Sequence, residues 1–463
     1  MKKLTEGNIY KTFILFALPL VFSGLLTQIY NLINTVIAGR FLGEAGLAAI
    51  GATSPYITFI SSFFIGYEAA FAIYIARLFG AGKHQKMCRG ISVHLVIDAS
   101  VAILITLFTL IFRNQILDLL KVEDAIRSET LSYLMIYISG MIFITMNHNA
   151  TVLLASLGDT AFSFLMSLLS TAINITGNLL SVTVFDFGVA GLAATSVLAA
   201  AIGGIGNLTR VLTDLRKLPP DEARLPFSFA ETREALSYTV PTVLQQNAIY
   251  FVGLLLSPII NSTGSTVIAS YVVTSQILNI FNNLSSSSSR TISNYASQVL
   301  GESHGRDHKL KMLKRGLWVG FLQNVLFIVV FLIPCLLMPN LIANIFFTKG
   351  SAPESVDLAV LFIRVFLPGI LIYTFDGLFH AFFRGLKTMK LLIGTTVFSS
   401  LARILISLPL TARYSINGFY GGMILAWAAE AIVLLIIYRT GVWIPKELRK
   451  QKGLFVNSWG KKI

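Results

Sequence analysis

The chain is short of charge. Only 13% of its 463 residues are Asp, Glu, Lys or Arg, about half of the roughly 25% that soluble domains carry. With 55% hydrophobic residues and a mean hydropathy of +0.74, it has too few polar groups to cover a folded surface in water, so lipid must cover it. Cysteine is nearly absent, and Cys88 and Cys335, one in each half, support no disulfide framework. No P-loop sequence is present, which argues against an ATP-driven pump. The histidines lack metal-ligand spacing and no Cys/His cluster points to zinc. With no nucleophile–base set or paired catalytic acids apparent, the chain reads as a non-enzyme that needs neither cofactor nor metal.

What the chain has is long apolar runs. They lie near 12–38, 46–76, 91–112, 131–155, 160–184 and 188–212, then near 236–261, 264–300, 316–338, 355–383, 389–412 and 418–438. Most reach the ~20 residues of a membrane-crossing helix. They are too long, and alternate too seldom, for barrel strands. The start, Lys2-Lys3 before an apolar run, has the form of a signal peptide. That run is too long, contains Pro19 and Asn31 and leads into further spans, so it reads as a retained first helix.

The net charge of +14 does not mark a nucleic-acid binder, because the basic residues sit in short gaps between apolar runs. With both termini cytoplasmic, the inside segments hold 27 Lys and Arg and the outside segments six, while Arg290, Arg364 and Arg403 lie within spans. This positive-inside bias predicts a multi-pass protein of the inner (plasma) membrane with both ends in the cytoplasm. The basic gap at 213–235 carries Pro219, Pro220 and Pro226 and reads as a cytoplasmic linker. Ser228 and Glu231 have capping-box spacing and predict a short amphipathic helix before the seventh span. The expected organisation is an N-lobe over 1–212, the linker over 213–235 and a C-lobe over 236–463.

The two halves repeat. Pro19 matches Pro241 at an offset of 222; at 221, Gly43, Ala48, Thr53, Ser54 and Gly80 match Gly264, Ala269, Thr274, Ser275 and Gly301. Arg89-Gly90 recurs as Arg315-Gly316, and at an offset of 229 Gly140 and Leu157 match Gly369 and Leu386. Shared small residues can reflect close helix packing alone, but matches in one order over some 200 residues are a repeat. Six spans per half make it parallel, with its pseudo-two-fold axis along the membrane normal. The expected fold is all-α: twelve transmembrane helices in two six-helix lobes around a central cleft.

Several segments resemble the multidrug and toxic compound extrusion (MATE) transporters. They are Leu18-Pro19, Tyr30 to Thr35 with Gly39 to Gly43, Ala76 to Gly82, Ser156 to Thr160, Gly188 to Gly191 and Arg384-Gly385-Leu386, in the family's order over essentially the whole chain. The resemblance implies lobes that rock around a cavity, and antiport of small amphipathic, often cationic organic compounds against protons or sodium. One departure stands out. Family members often carry aspartates where this chain has Asn34 and Asn178, and one branch has a glutamate in the region of Gln245, Gln246 and Asn247. Asparagine cannot titrate, so the family's N-lobe protonation chemistry does not carry over.

An ionisable group in hydrocarbon costs about 3 kcal/mol or more, so each one inside a span needs a partner or a purpose. Glu68 and Arg290 are equivalent by the repeat and are candidates for an interlobe gate; the alternative is that each is satisfied within its own lobe or wetted in the cavity. Asp376 and His380 share a face of the tenth span, and Arg403 and Glu430 come from the next two. These four are either the cation-coupling site or a static salt-bridge network. His94 and Asp98 share a face of the third span and read as a structural pair. Gln28, Asn31, Asn34, Asn174 and Asn178 form an N-lobe polar set, suited to interhelical hydrogen bonds or to orienting a ligand or sodium ion. The serine run 285–289 reads as close packing or a cleft wall. The expected function is a cation-coupled exporter of organic solutes working by alternating access; the competing reading is a flippase for a lipid-linked saccharide or other amphipathic lipid, which calls for several arginines around a large cavity. The expected partners are a small organic solute, a proton or sodium ion and the bilayer, with the protein acting as a monomer.

Overall fold

The computed structural model describes residues 3–120, 122–219, 232–247, 265–346 and 353–449. Among them every regular element is helical. The first half runs through α1 (Ile9–Ile37), α2 (Gly43–Gly80), α3 (His84–Ile111), the short α4 (Arg113–Leu119), α5 (Asp124–Ser139), α6 (Met141–Ser156), α7 (Thr160–Thr183) and α8 (Gly188–Leu215). The second has α9 (232–247), α10 (Ser265–Gly301), α11 (Arg306–Leu337), the short α12 (Pro339–Phe346), α13 (Pro353–Leu361), α14 (Ile370–Gly385) and α15 (Met389–Thr440). Ser228 and Glu231, the expected helix start in the linker, lie outside the described residues.

Three spans are not single straight helices. α5 and α6 are one span bent by 48° at Gly140. The span made by α13 and α14 is interrupted by a π turn (Phe362–Phe366) and a 3-10 turn ending at Gly369. α15 is two helices folded back at Ser415, where the backbone reaches φ 53°. Pairs across that fold are centred on the turn: Ser399 Oγ donates to the Glu430 carboxylate, and Gly422 packs on Ser407. Counted this way the described residues form twelve helical segments, six in each half, and most of them are long and apolar enough to cross a membrane. Leu104, Ile111, Leu337 and Leu405 are exposed and suited to lipid.

α10 is the exception to apolarity, and its position explains why. It packs against α1, α2, α11 and α14, so protein rather than lipid surrounds it. Ser285, Ser287, Ser288 and Ser289 are buried there. Gln323 and Asn324 of α11 donate to the Ser288 and Ser289 hydroxyls at 2.9 Å. The serine run is thus a packing face with its own hydrogen-bond partners.

The repeat is visible in the backbone. Gly140 and Gly369, equivalent at offset 229, each mark the break in a span, and a Cβ on either would strike a side chain of a neighbouring helix, Val197 or Ile424. Gly80 and Gly301, equivalent at offset 221, lie where the ends of α2 and α10 cross. A Cβ on Gly80 would stand 2.4 Å from the Gln298 carbonyl oxygen, and one on Gly301 would stand 2.0 Å from that of Arg77. Each glycine admits the other helix.

That crossing seals the two halves at the end of the molecule carrying the first described residues and the chain after α15. Ser297 Oγ donates to the Ile73 carbonyl at 2.6 Å, and the Leu4 amide donates to Gln298 at 2.8 Å. Arg77 Nη2 meets both oxygens of Glu447 at 2.9 and 2.8 Å. The partners of that ion pair are 25% and 47% exposed, so it contributes at most about 1 kcal/mol.

Candidate functional site

Two buried polar sites flank the interlobe cleft, and they differ in how well they are satisfied. The first joins α1, α7 and α8. Asn178 donates to Asn34 Oδ1 at 2.6 Å and to Asn174 Oδ1 at 2.7 Å, and its own oxygen accepts from the Thr195 hydroxyl. Asn174 donates to Ser196 Oγ at 3.1 Å, and the Tyr30 hydroxyl lies 3.2 Å from the same oxygen. Asn34, Asn174 and Asn178 therefore form one network, built on the i, i+4 spacing of the last two. Gln28 makes none of these hydrogen bonds, and Asn31 lies one turn before Asn34 on α1. Tyr30, one helical turn before Asn34, completes it with Thr195 and Ser196, and no spacing signal in the sequence marks those two.

The second site lies in the second half, between α14 and both arms of α15. A cavity of about 40 Å³ is lined by Asp376, His380, Ser399, Arg403 and Glu430 among others, room for a single water or small ion. Asp376 and Glu430 are buried, at 2% and 0% exposure. Glu430 Oε1 lies 3.0 Å from His380 Nε2, and its other oxygen accepts from Ser399. His380 Nε2 also lies 3.1 Å from Thr395 Oγ1. Arg403 is within electrostatic range of both carboxylates, which are also close enough to act on each other. All four residues expected from the sequence are thus brought together, with Ser399 and Thr395 added.

Asp376 is the unusual member. Both of its oxygens are buried without a hydrogen-bond partner, and so is Arg403 Nε. A buried unsatisfied polar group costs about 1–3 kcal/mol, more when charged. Two carboxylates and one guanidinium leave the site one negative charge in excess while His380 is neutral. One bound cation removes the excess.

The cleft carries a third set of charges. Arg290 on α10 and His148 on α6 are exposed although they sit mid-helix. Arg290 is within electrostatic range of Glu68, His148 and Arg384. Glu68 is buried beside Asp98 and makes no direct ion pair with Arg290, the two acting on each other at longer range. Arg384 Nε is buried and unpartnered. Asp98 and His94 are buried in α3, and the His94 ring stacks on Phe71 at 3.6 Å between centroids and on Tyr67 at 4.8 Å. A cavity of about 930 Å³ lies elsewhere, at the sealed end.

A twelve-helix, two-lobed membrane protein with ionisable groups buried inside its spans is built as a transporter, not an enzyme. The family model described as MatE matches residues 19–180 and 241–408, once in each half and 222 residues apart. The chain belongs to the MATE family. It is 23% identical to a probable multidrug resistance protein, YoeA, of Bacillus subtilis, over 97% of each chain. It is 24% identical to the multidrug export protein MepA of Staphylococcus aureus, over 59% of this chain and 60% of that one. Among solved structures it matches a MOP superfamily transporter from Pyrococcus furiosus, whose description reports a reversed polarity of the binding pocket. The TM-score is 0.84 at 17% identity, over 96% of this chain and 99% of that one. The bent form of the Vibrio cholerae MATE transporter VcmN matches with a TM-score of 0.82 at 16% identity, over 94% of this chain and 98% of that one. These likenesses are to the fold.

Proposed function

We propose that the protein is a multidrug exporter that moves amphipathic organic solutes by alternating access, as a monomer, driven by protons bound at Asp376 and Glu430. The names of its relatives support export of drugs. The richness of the sealed end in Lys and Arg supports reading it as cytoplasmic, with both termini inside and the cleft facing the exterior. The seal at Gly80 and Gly301 then has to part for the opposite state.

The observation that carries the coupling site is the unpartnered Asp376 carboxylate in its small cavity. A proton on Asp376 gives it a donor that Glu430 can accept and removes the excess charge in one step. Sodium binding calls for several oxygen ligands; here a histidine nitrogen and a guanidinium occupy part of the shell. The N-lobe amides are satisfied by one another and serve as a clamp. The test is export from proteoliposomes with proton and sodium gradients imposed separately. A proton gradient alone is expected to drive export; export under sodium alone contradicts proton coupling.

The cleft charges favour a second reading of the substrate. Arg290, exposed in the cleft, has His148 and Arg384 within electrostatic range, while Glu68 and Asp98 are buried side by side and the acids at 376 and 430 sit in their own cavity. That balance fits a substrate with an anionic group on an apolar body, including a lipid-linked saccharide. Glu68 and Arg290 act in this reading as the interlobe gate. Competition of anionic and cationic dyes for transport decides it: inhibition by cationic dyes alone removes the anionic reading.

A further inference from the structure

A cavity of about 930 Å³ at the sealed end takes its lining from both halves of the chain. Arg77, Lys83 and Lys86 come from the ends of α2 and α3, and Lys387, Lys390, Lys446 and Arg449 from the α14–α15 turn and the segment after α15. The two carboxylates in the lining are already engaged, Glu447 with Arg77 at 2.8 Å and Glu234 with Lys86 at 2.5 Å. Among the described lining residues, five cations remain without an acid. The chain after Arg449 does not supply one: residues 450–463 include Lys450, Lys452, Lys461 and Lys462 and no Asp or Glu.

Lys387 is held there against its backbone preference. Its φ is 56°, a left-handed conformation that suits glycine. The residue 229 positions earlier, at the repeat offset of this segment, is Gly158, with φ 86°. The same turn after the same span thus has glycine in one half and lysine in the other. Backbone strain of this kind persists where the side chain has a use. The Lys387 ammonium lies 3.7 Å from the centroid of the Tyr238 ring. Burial, and then the nearby Arg77, hold it below the usual lysine pKa.

We propose that this cavity is a binding site for a phosphate-bearing anion, and that its occupant ties the two halves together at the sealed end. Phosphate oxygens accept from several ammonium and guanidinium donors at once, and about 930 Å³ holds a headgroup or a small soluble phosphate compound. A ligand gripped by residues of both lobes binds the closed seal better than the parted one and shifts the population toward it.

The test uses the full chain in nanodiscs of phosphatidylcholine, with and without phosphatidylglycerol, and in phosphatidylcholine discs titrated with inorganic pyrophosphate. The thermal midpoint and the labelling of Ser297→Cys at the seal are read together. Phosphatidylglycerol or pyrophosphate is expected to raise the midpoint and protect the cysteine, and the arm that responds identifies a lipid or a soluble source. Lys387→Gln/Lys390→Gln/Lys446→Gln is expected to weaken the response roughly tenfold, while Lys11→Gln/Lys311→Gln/Lys314→Gln, which removes the same charge elsewhere, retains it. Lys387→Gly separates the role of the side chain from that of the fold: it relieves the backbone, so the unliganded midpoint holds or rises while the response falls. No response in either arm, or an equal response in the two triple variants, overturns the proposal.

Discussion

Asn178 donates two hydrogen bonds and accepts a third, whereas neither oxygen of Asp376 has a partner. This contrast separates a clamp from a coupling site. Asn178→Ala leaves Asn34 and Thr195 without their partner and is expected to lower stability by about 1–2 kcal/mol, seen as a lower melting temperature in detergent, with the proton dependence of transport unchanged. Loss of proton dependence in that variant would move the coupling site to the N-lobe. Sequence spacing alone brings out Asp376 with His380, and Asn174 with Asn178, because each pair is one helical turn apart. Ser399, Thr395, Thr195 and Ser196 are invisible at that level, since hydroxyls are common in spans and only the fold shows which ones meet a carboxylate or an amide.

Between elements, the deciding contacts are glycines at crossings. Gly301 lets α10 approach the Arg77 carbonyl, and Gly80 lets α2 approach Gln298. Gly301→Val is expected to hold the seal apart, raise labelling of Ser297→Cys at least severalfold and stop transport; unchanged labelling contradicts the role given to the crossing. The spans were legible because lipid demands long apolar runs, and the turn at Ser415 falls in the gap between the eleventh and twelfth of them. The start of α3 was not. It begins at His84, before the apolar run at 91, because the helix continues past the bilayer through the basic residues Lys86 and Arg89. The meeting of Gly80 with Gly301 was hidden for another reason: a repeat shows that two positions are equivalent, not that they touch.

At the scale of the whole molecule, the halves share a scaffold and differ in charge. The first buries a satisfied amide network, the second two carboxylates with an arginine and a histidine, and the cleft between them places Glu68 opposite Arg290 without a direct ion pair. If that pair gates the cleft, Glu68→Arg and Arg290→Glu each reduce export and the double swap restores part of it; no recovery removes the gate. The most direct measurement of coupling is proton release from the solubilised protein when substrate binds, followed with a pH indicator in weak buffer. Competition between proton and substrate predicts about one proton released per substrate in the wild type, none in Asp376→Asn, and an unaltered yield in Asn178→Ala. Release at the wild-type yield from Asp376→Asn would contradict the assignment of coupling to the second lobe.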